Sequence, residues 1–253
     1  MKMNKLTILV SMFAVATGLS ASVAAEDKKL EPWQLAEKTE VWEPVPAIIN
    51  AKAGMPPSDA VILIDGGELS QWEGLKGGAP QWTVSKDKIT VKPGTGDIKT
   101  KQSFCDIQLH FEWQTPKPEA GMQGQQRNNS GIFLQQRYEV QVLDSFDNVT
   151  YANGQAGSVY KQTIPLVNAS RPPGEWQVYD IIYQAPQFTG ESLTSPGTVT
   201  VLHNGVVVQN HTEIQGTTEW IGAPKYQAHG CAPLQLQDHG NLVSFRNMWV
   251  REL

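Results

Sequence analysis

Residues 137–142 read RYEVQV, so Arg137, Glu139 and Gln141 alternate with Tyr138, Val140 and Val142, and Asp144 follows just beyond. A strand turns successive side chains to opposite faces. One face of this segment is therefore apolar, and the other lines up a guanidinium, a carboxyl and an amide, the raw materials of acid–base chemistry. The same row would also serve as an ordinary solvated outer face. A second group lies in LQLQDHGN, where Gln235 and Gln237 share a face opposite Leu234 and Leu236, and Asp238-His239-Gly240 turns the chain. His239 beside an aspartate could exchange a proton near neutral pH. Asp238 could equally be satisfying the backbone of its own turn.

Glu139, Gln141 and Asp144 spell E-x-Q-x-x-D. Glu139 and Gln141 share a face, whereas Asp144 falls on the other one unless a bulge adds a residue. The pattern resembles the E-x-D-x-x-E signature of jelly-roll glucanases, in which two glutamates flank an aspartate. Here an amide replaces the middle acid and the last acid is shorter. Retaining glycoside hydrolysis needs two carboxyls about 5 Å apart, so the likeness implies shared sheet architecture more than shared chemistry. His110, His203, His211 and His229 show no ligand spacing, and no zinc or calcium loop occurs. Neither a metal nor a cofactor is expected. A G-x-S-x-G elbow is missing too, which argues against a serine hydrolase.

These residues must be positioned by a mostly β-stranded chain. AVILID, QWTVSKDKITVKPG, CDIQLHFEW, RYEVQV and EWQVYDIIYQA read as strands, and GTVTVLHNGVVVQN reads as a hairpin turning at Asn204-Gly205. APLQLQDHGNLVSFRNMWVREL reads as a further pair turning at DHGN. No helical period appears after the first residues, so the expectation is one all-β domain over 59–253, a sandwich or barrel. Two long connections flank the polar strand, and long unstructured connections are commonly functional. Residues 26–58 carry Pro32, Pro44, Pro46, Pro56 and Pro57 and read as an extended Pro-rich arm.

The chain opens with Lys2 and Lys5, an apolar run from Leu6 to Leu19 and a small-residue end, the pattern of a signal peptide over 1–25 cleaved near Ala24-Ala25. Export to the periplasm or beyond is therefore expected. Cutting there would change the formal charge from −5 to −7, since Lys2 and Lys5 are removed. An acidic chain is a poor partner for nucleic acid, and the mature part holds no membrane span. Cys105 and Cys231 could be bridged, although Cys105 shares the apolar face of Ile107, Leu109 and Phe111 and reads as a small core residue.

VILIDGGELSQWEG, FCDIQLHFEW, NNSGIFLQQRYEVQVLDSF, RPPGEWQVYDIIYQAP, VLHNGVVV and LQLQDHGNLVSFRNMWVREL occur in this order. Together they resemble the 3-keto-disaccharide hydrolase domain family (DUF1080) over essentially the whole of 59–253. The resemblance implies a concanavalin A-like jelly-roll sandwich of two antiparallel sheets, acting on carbohydrate. Two positions depart from the pattern: Asn128 stands where a glycine is expected before NSG, and LQQR replaces a glycine-containing LQGR. The implied chemistry removes the C2 proton of a sugar oxidised at C3, expels the group on C1 and adds water. Glu139 would be the base and His239 or Asp144 the acid; Arg137 would face the developing oxyanion and Gln141 a hydroxyl. Asn129 and Gln237 complete the substrate-binding candidates. A non-catalytic carbohydrate-binding module and a glucanase-like hydrolase remain as alternatives, because fold does not fix function.

Overall fold

The computed structural model describes residues 30–66 and 68–253. The expected leader lies outside them. The chain divides into two units, Met1–Ala47 and Ile48–Leu253. In the described part of the first, α1 (Pro32–Glu37) corrects the expectation of a wholly extended arm. Pro32 sits in its first turn, where a missing N–H costs nothing. The backbone N–H of Glu31 donates to Gln34 Oε1 at 2.9 Å in a capping box.

The second unit is built from strands. In chain order they are β1 (Val61–Ile64), β2 (Trp72–Gly74), β3 (Thr83–Val84), β4 (Ile89–Thr90), β5 (Ile98–Phe104), β6 (Ile107–Gln114), β7 (Asn129–Leu134), β8 (Tyr138–Leu143), β9 (Gln177–Gln184), β10 (Gln187–Thr189), β11 (Ser192–Ser195), β12 (Thr198–His203), β13 (Val206–Glu213), β14 (Ala232–Leu236) and β15 (Ser244–Glu252). The larger sheet runs β13-β12-β9-β6-β15-β4-β3, with β1 also on β15; the smaller runs β2-β5-β14-β7-β8, and β10-β11 form a separate ribbon. All pairings within these sheets are antiparallel. The molecule is the expected all-β jelly-roll sandwich.

Alternation explains the core. In β6, Ile107, Leu109, Phe111 and Trp113 are buried while the residues between them are half-exposed. They meet Tyr179, Ile181 and Tyr183 of β9 and the inward residues of the smaller sheet, Ile132, Leu134, Tyr138, Val140, Leu234 and Leu236. Asn204 and Gly205 take φ of 53° and 81° between β12 and β13, as a tight hairpin turn requires. Asn128 and Gln136, the two departures from the family pattern, have φ of 54° and 57°. Both hold the left-handed backbone that glycine adopts most cheaply, so the local fold survives the substitutions at some cost.

Two expectations are corrected. β14 and β15 are not a hairpin: β14 lies between β5 and β7, whereas β15 lies in the other sheet. The DHGN segment therefore crosses from one layer to the other, which a single chain's periodicity does not reveal. Cys105 is not a plain core residue either. It sits half-buried in the turn joining β5 to β6 and is bonded to Cys231, with Cα atoms 4.7 Å apart. That bond joins positions 126 residues apart and anchors the start of β14. Reducing it should lower the unfolding free energy by about 2–4 kcal/mol, measured by denaturant unfolding with and without reductant; an unchanged midpoint would show that the bond carries no stability.

Candidate active site

β7 and β8 pair without a register shift, from Asn129 opposite Leu143 to Leu134 opposite Tyr138. Ile132 and Leu134 on β7, with Tyr138, Val140 and Val142 on β8, fill the core, so Asn129, Gly131, Phe133, Glu139 and Gln141 share the other face. β8 is the last strand of its sheet, yet its edge is covered. The backbone N–H of Gln141 donates to Ser158 O, that of Gly157 to Gln141 O and that of Tyr160 to Glu139 O, each at 3.0 Å. The long connection after β8 thus closes over the polar row. Glu139 is 4% exposed and Gln141 0%. A solvated outer face would leave both open to water, so the polar row is the floor of an enclosed site.

Glu139 fits there because its neighbour on β7 lacks a side chain. A Cβ on Gly131 would lie closer than any real contact to the Glu139 carboxylate. This is the close approach that a glycine inside a strand signals. Burial pushes the Glu139 carboxyl from 4.5 up to about 8, and the nearby Asp97 carboxylate adds to the effect. Asp97 is itself raised by burial, opposed by the Asp238 N–H at 2.8 Å and the Gln235 Nε2 at 2.7 Å. Among the described residues no cation acts on the Glu139 carboxyl, so its charge is unsupported.

Above the floor lies a cavity of about 530 Å³. Gln141, Asn129 and Gln237 join Glu139 in lining it, Tyr151 and Tyr160 form one wall, and Trp220 and His239 stand at the mouth. Asn129 Oδ1 and Gln237 Oε1 are buried and, among the described residues, without a partner. A buried acceptor left unmade is costly, so these two oxygens are suited to the hydroxyl donors of a ligand. The Tyr151 and Tyr160 hydroxyls are 2.6 Å apart. One donates to the other, which leaves one phenolic proton free for the cavity. Burial, reinforced by the Tyr151 contact, raises the Tyr160 hydroxyl above its usual range, so it is neutral and able to donate. Trp220 is 73% exposed, an aromatic platform beside a polar pocket.

The fold thus gathers Glu139, Gln141, Asn129, Gln237 and His239 around one cavity. Arg137 and Asp144 do not line it. Arg137 lies in the turn before β8, and its Nη1 donates to Gln135 O at 3.0 Å. Asp144 lies past the end of β8; no bulge re-aims it, and Arg127 Nε donates to its carboxylate at 2.8 Å. Asp238 does not orient His239 in the manner considered from the sequence, since its oxygens accept from the N–H groups of Gly96 and Gly240. Sequence reasoning missed Gln125, Tyr151, Tyr160 and Trp220, which come from connections without periodicity. Gly131 was legible as a glycine inside a strand. Among the described residues no three His, Cys, Asp or Glu side chains gather as a metal site.

Residues 59–251 match the family model described as the 3-keto-alpha-glucoside-1,2-lyase-like domain. The chain belongs to that family. Among solved structures, a "putative glycosyl hydrolase" from Parabacteroides distasonis ATCC 8503, at 2.13 Å resolution, has a TM-score of 0.83 and is 54% identical, the match covering 86% of this chain and 96% of that one. A second structure of the same description and organism, at 1.70 Å, is 21% identical with a TM-score of 0.59 over 77% of this chain and 94% of that one, and it shares the fold. Comparison with curated proteins finds no match.

A carboxyl held near 8 in the folded protein but 4.5 when free binds its proton more tightly in the native state. As pH rises from about 4.5 the unfolded chain releases that proton first, so this group lowers stability progressively up to about pH 8. Glu139→Gln should therefore be more stable than the parent above pH 7, by on the order of a few kcal/mol, with the gap closing below pH 4.5. Thermal melts across that range check it, and a pH-independent difference would disprove the assignment. Gly131→Ala should act oppositely, losing about 1–3 kcal/mol from overpacking against Glu139.

Proposed function

We propose that the chain cleaves glycosides already oxidised to a ketone at C3, with Glu139 as base and His239 as acid. The observation that carries this reading is that Glu139 is the only carboxyl lining the cavity among the described residues. Direct hydrolysis of an unoxidised glycoside uses two carboxyls flanking the bond. Elimination next to a ketone uses one base, one acid and donors for an enolate oxygen. The family and its "glycosyl hydrolase" neighbour support a carbohydrate-active, hydrolase-like role.

In this reading the ketone at C3 acidifies the C2–H bond. Ionised Glu139 takes that proton, and the electron pair moves into an enolate whose oxygen is met by the free phenolic proton of the Tyr151–Tyr160 pair. The pair then returns to form the C1–C2 double bond, the C1–O bond breaks, and His239 protonates the departing oxygen. Stopping there gives the lyase outcome in the family description; adding water, with OH to C1 and H to C2, gives net hydrolysis. Asn129 Oδ1 and Gln237 Oε1 would accept from sugar hydroxyls, and Trp220 would offer its face to the ring or the leaving group. Export of the mature chain is part of the proposal. It is supported by the leader-like first residues and by the Cys105–Cys231 bond, which persists in oxidising compartments.

Incubating the protein with a 3-keto-glucoside and with its unoxidised parent tests the reading. We expect cleavage of the keto sugar alone, deuterium exchange at C2 in D2O, and a bell-shaped kcat/KM profile whose rising limb follows the ionisation of Glu139 towards about pH 8. Glu139→Gln should lower the rate by at least a thousandfold. Equal cleavage of both sugars would mean an ordinary hydrolase, and binding of both without cleavage would mean a carbohydrate-binding module.

A further inference from the structure

The connection from β13 to β14 passes the mouth of the cavity, and residues 216–225 of it form an excursion closed at its base. Thr217 N–H donates to Lys225 O at 3.0 Å. Gly216, with φ of 142°, lies so close to the Lys225 backbone that a Cβ there would have no room. The same base is registered on the cavity floor. Thr218 N–H donates to Arg137 O at 2.8 Å, and the backbone N–H of Glu139 donates to Thr218 Oγ1 at 3.0 Å. Trp220 and Ile221 form the tip and are 73% and 75% exposed.

Among the described residues a single hydrogen bond reaches 219–224, from Lys161 Nζ to Trp220 O at 2.6 Å. Lys161 belongs to the wall of Tyr151 and Tyr160. Its N–H donates to Asn153 O at 2.8 Å, and its carbonyl accepts from Asn153 Nδ2 at 3.2 Å. Its φ of 60° is uncommon for a residue with a side chain, so the wall dictates where that side chain starts. The ammonium lies 5.9 Å from the centre of the Tyr151 ring, a face that attracts a cation. It pairs with no carboxylate among the described residues. Lys161 therefore bridges the phenol wall to the exposed tip.

For the proposed reaction, the C2–H bond must reach the Glu139 carboxyl, so the oxidised ring fills the deep end of the cavity. The group on C1 then lies towards the mouth, where His239 and Trp220 stand. An aromatic face there can pack on the C–H face of a ring. Such a platform binds best when it is fixed beforehand, because less freedom is lost on binding. We propose that Lys161 is a positioning residue: by tying the excursion to the Tyr151 wall, it holds Trp220 as the platform for the group that leaves from C1. This deepens the proposed function and rests on it for which end of the sugar lies outermost.

The test compares a 3-keto-disaccharide with methyl 3-keto-glucoside, whose leaving group is too small to reach the platform. Lys161→Met should raise KM for the disaccharide about tenfold with kcat nearly unchanged, the mark of binding shared by ground and transition states. Neither constant should move by more than about twofold for the methyl glycoside. Trp220→Ala should give the same pattern, and the double variant should be no worse than Trp220→Ala, because Lys161 acts through that residue. Lys161→Arg keeps a donor for Trp220 O and should lose less than Lys161→Met. Equal losses on both sugars, or a double variant clearly worse than Trp220→Ala, would overturn the role. If the parent protein cleaves neither sugar, the reaction fails and the platform is tested separately, by calorimetric dissociation constants for the same two sugars. A loss confined to the disaccharide would then uphold the role of Lys161, whereas an equal change for both, or no binding of either, would end it.

Discussion

The site depends on keeping one carboxyl out of water. Glu139 lies on a strand whose other face belongs to the core, and a chain crossing the edge of β8 seals the face that would otherwise be wet. Desolvation penalises the charged form, so the folded protein holds a carboxyl that is neutral through much of the physiological range and close to exchanging its proton. The same burial opposes folding once the pH rises above the free carboxyl's range. The raised carboxyl and its cost to folding have one physical origin, as is common where a site is held in a state the isolated side chain would not choose.

The remaining acids show how that state is protected. Asp144 is held by Arg127 and by the Phe146 N–H, and it ties the connection before β7 to the one after β8. Asp238 accepts from Gly96 and Gly240, and Asp97 accepts from Asp238 N and Gln235, which joins the start of β5 to the end of β14. Each of these carboxylates is held by donors and serves to fix a loop. Glu139, among these acids, has no donor fixing its carboxyl in the described residues. What sets Glu139 apart from these acids is the donors around each group, not the residue type.

Architecture also assigns the cavity its chemistry. The floor comes from the rigid strands β7 and β8 and from the segment just after β14, while the walls come from loops locked onto a strand edge. Rigid strands fix the floor groups, and loops supply the variable wall. The wall is aromatic and the floor polar, with two unpartnered acceptors, a combination that suits the ring faces and hydroxyls of a sugar.

Alternation in CDIQLHFEW and RYEVQV, the Asn204-Gly205 turn and the six ordered blocks were enough to give an all-β sandwich and its family, because strand period and turn chemistry are local properties. They also placed Glu139 and Gln141 on one face. Glycines expected at 128 and 136 were informative even in their absence, since the replacing residues keep positive φ. The sequence could not show that β14 and β15 part into different sheets, that Cys105 meets Cys231, or that Asp144 and Arg137 turn away from the cavity. Nor could it show that Tyr151 and Tyr160, from a segment without period, close over Glu139. Those are contacts between residues far apart in the chain. Only packing the layers together decides which polar row stays wet and which loses its water, and that loss of water is what raises the Glu139 carboxyl.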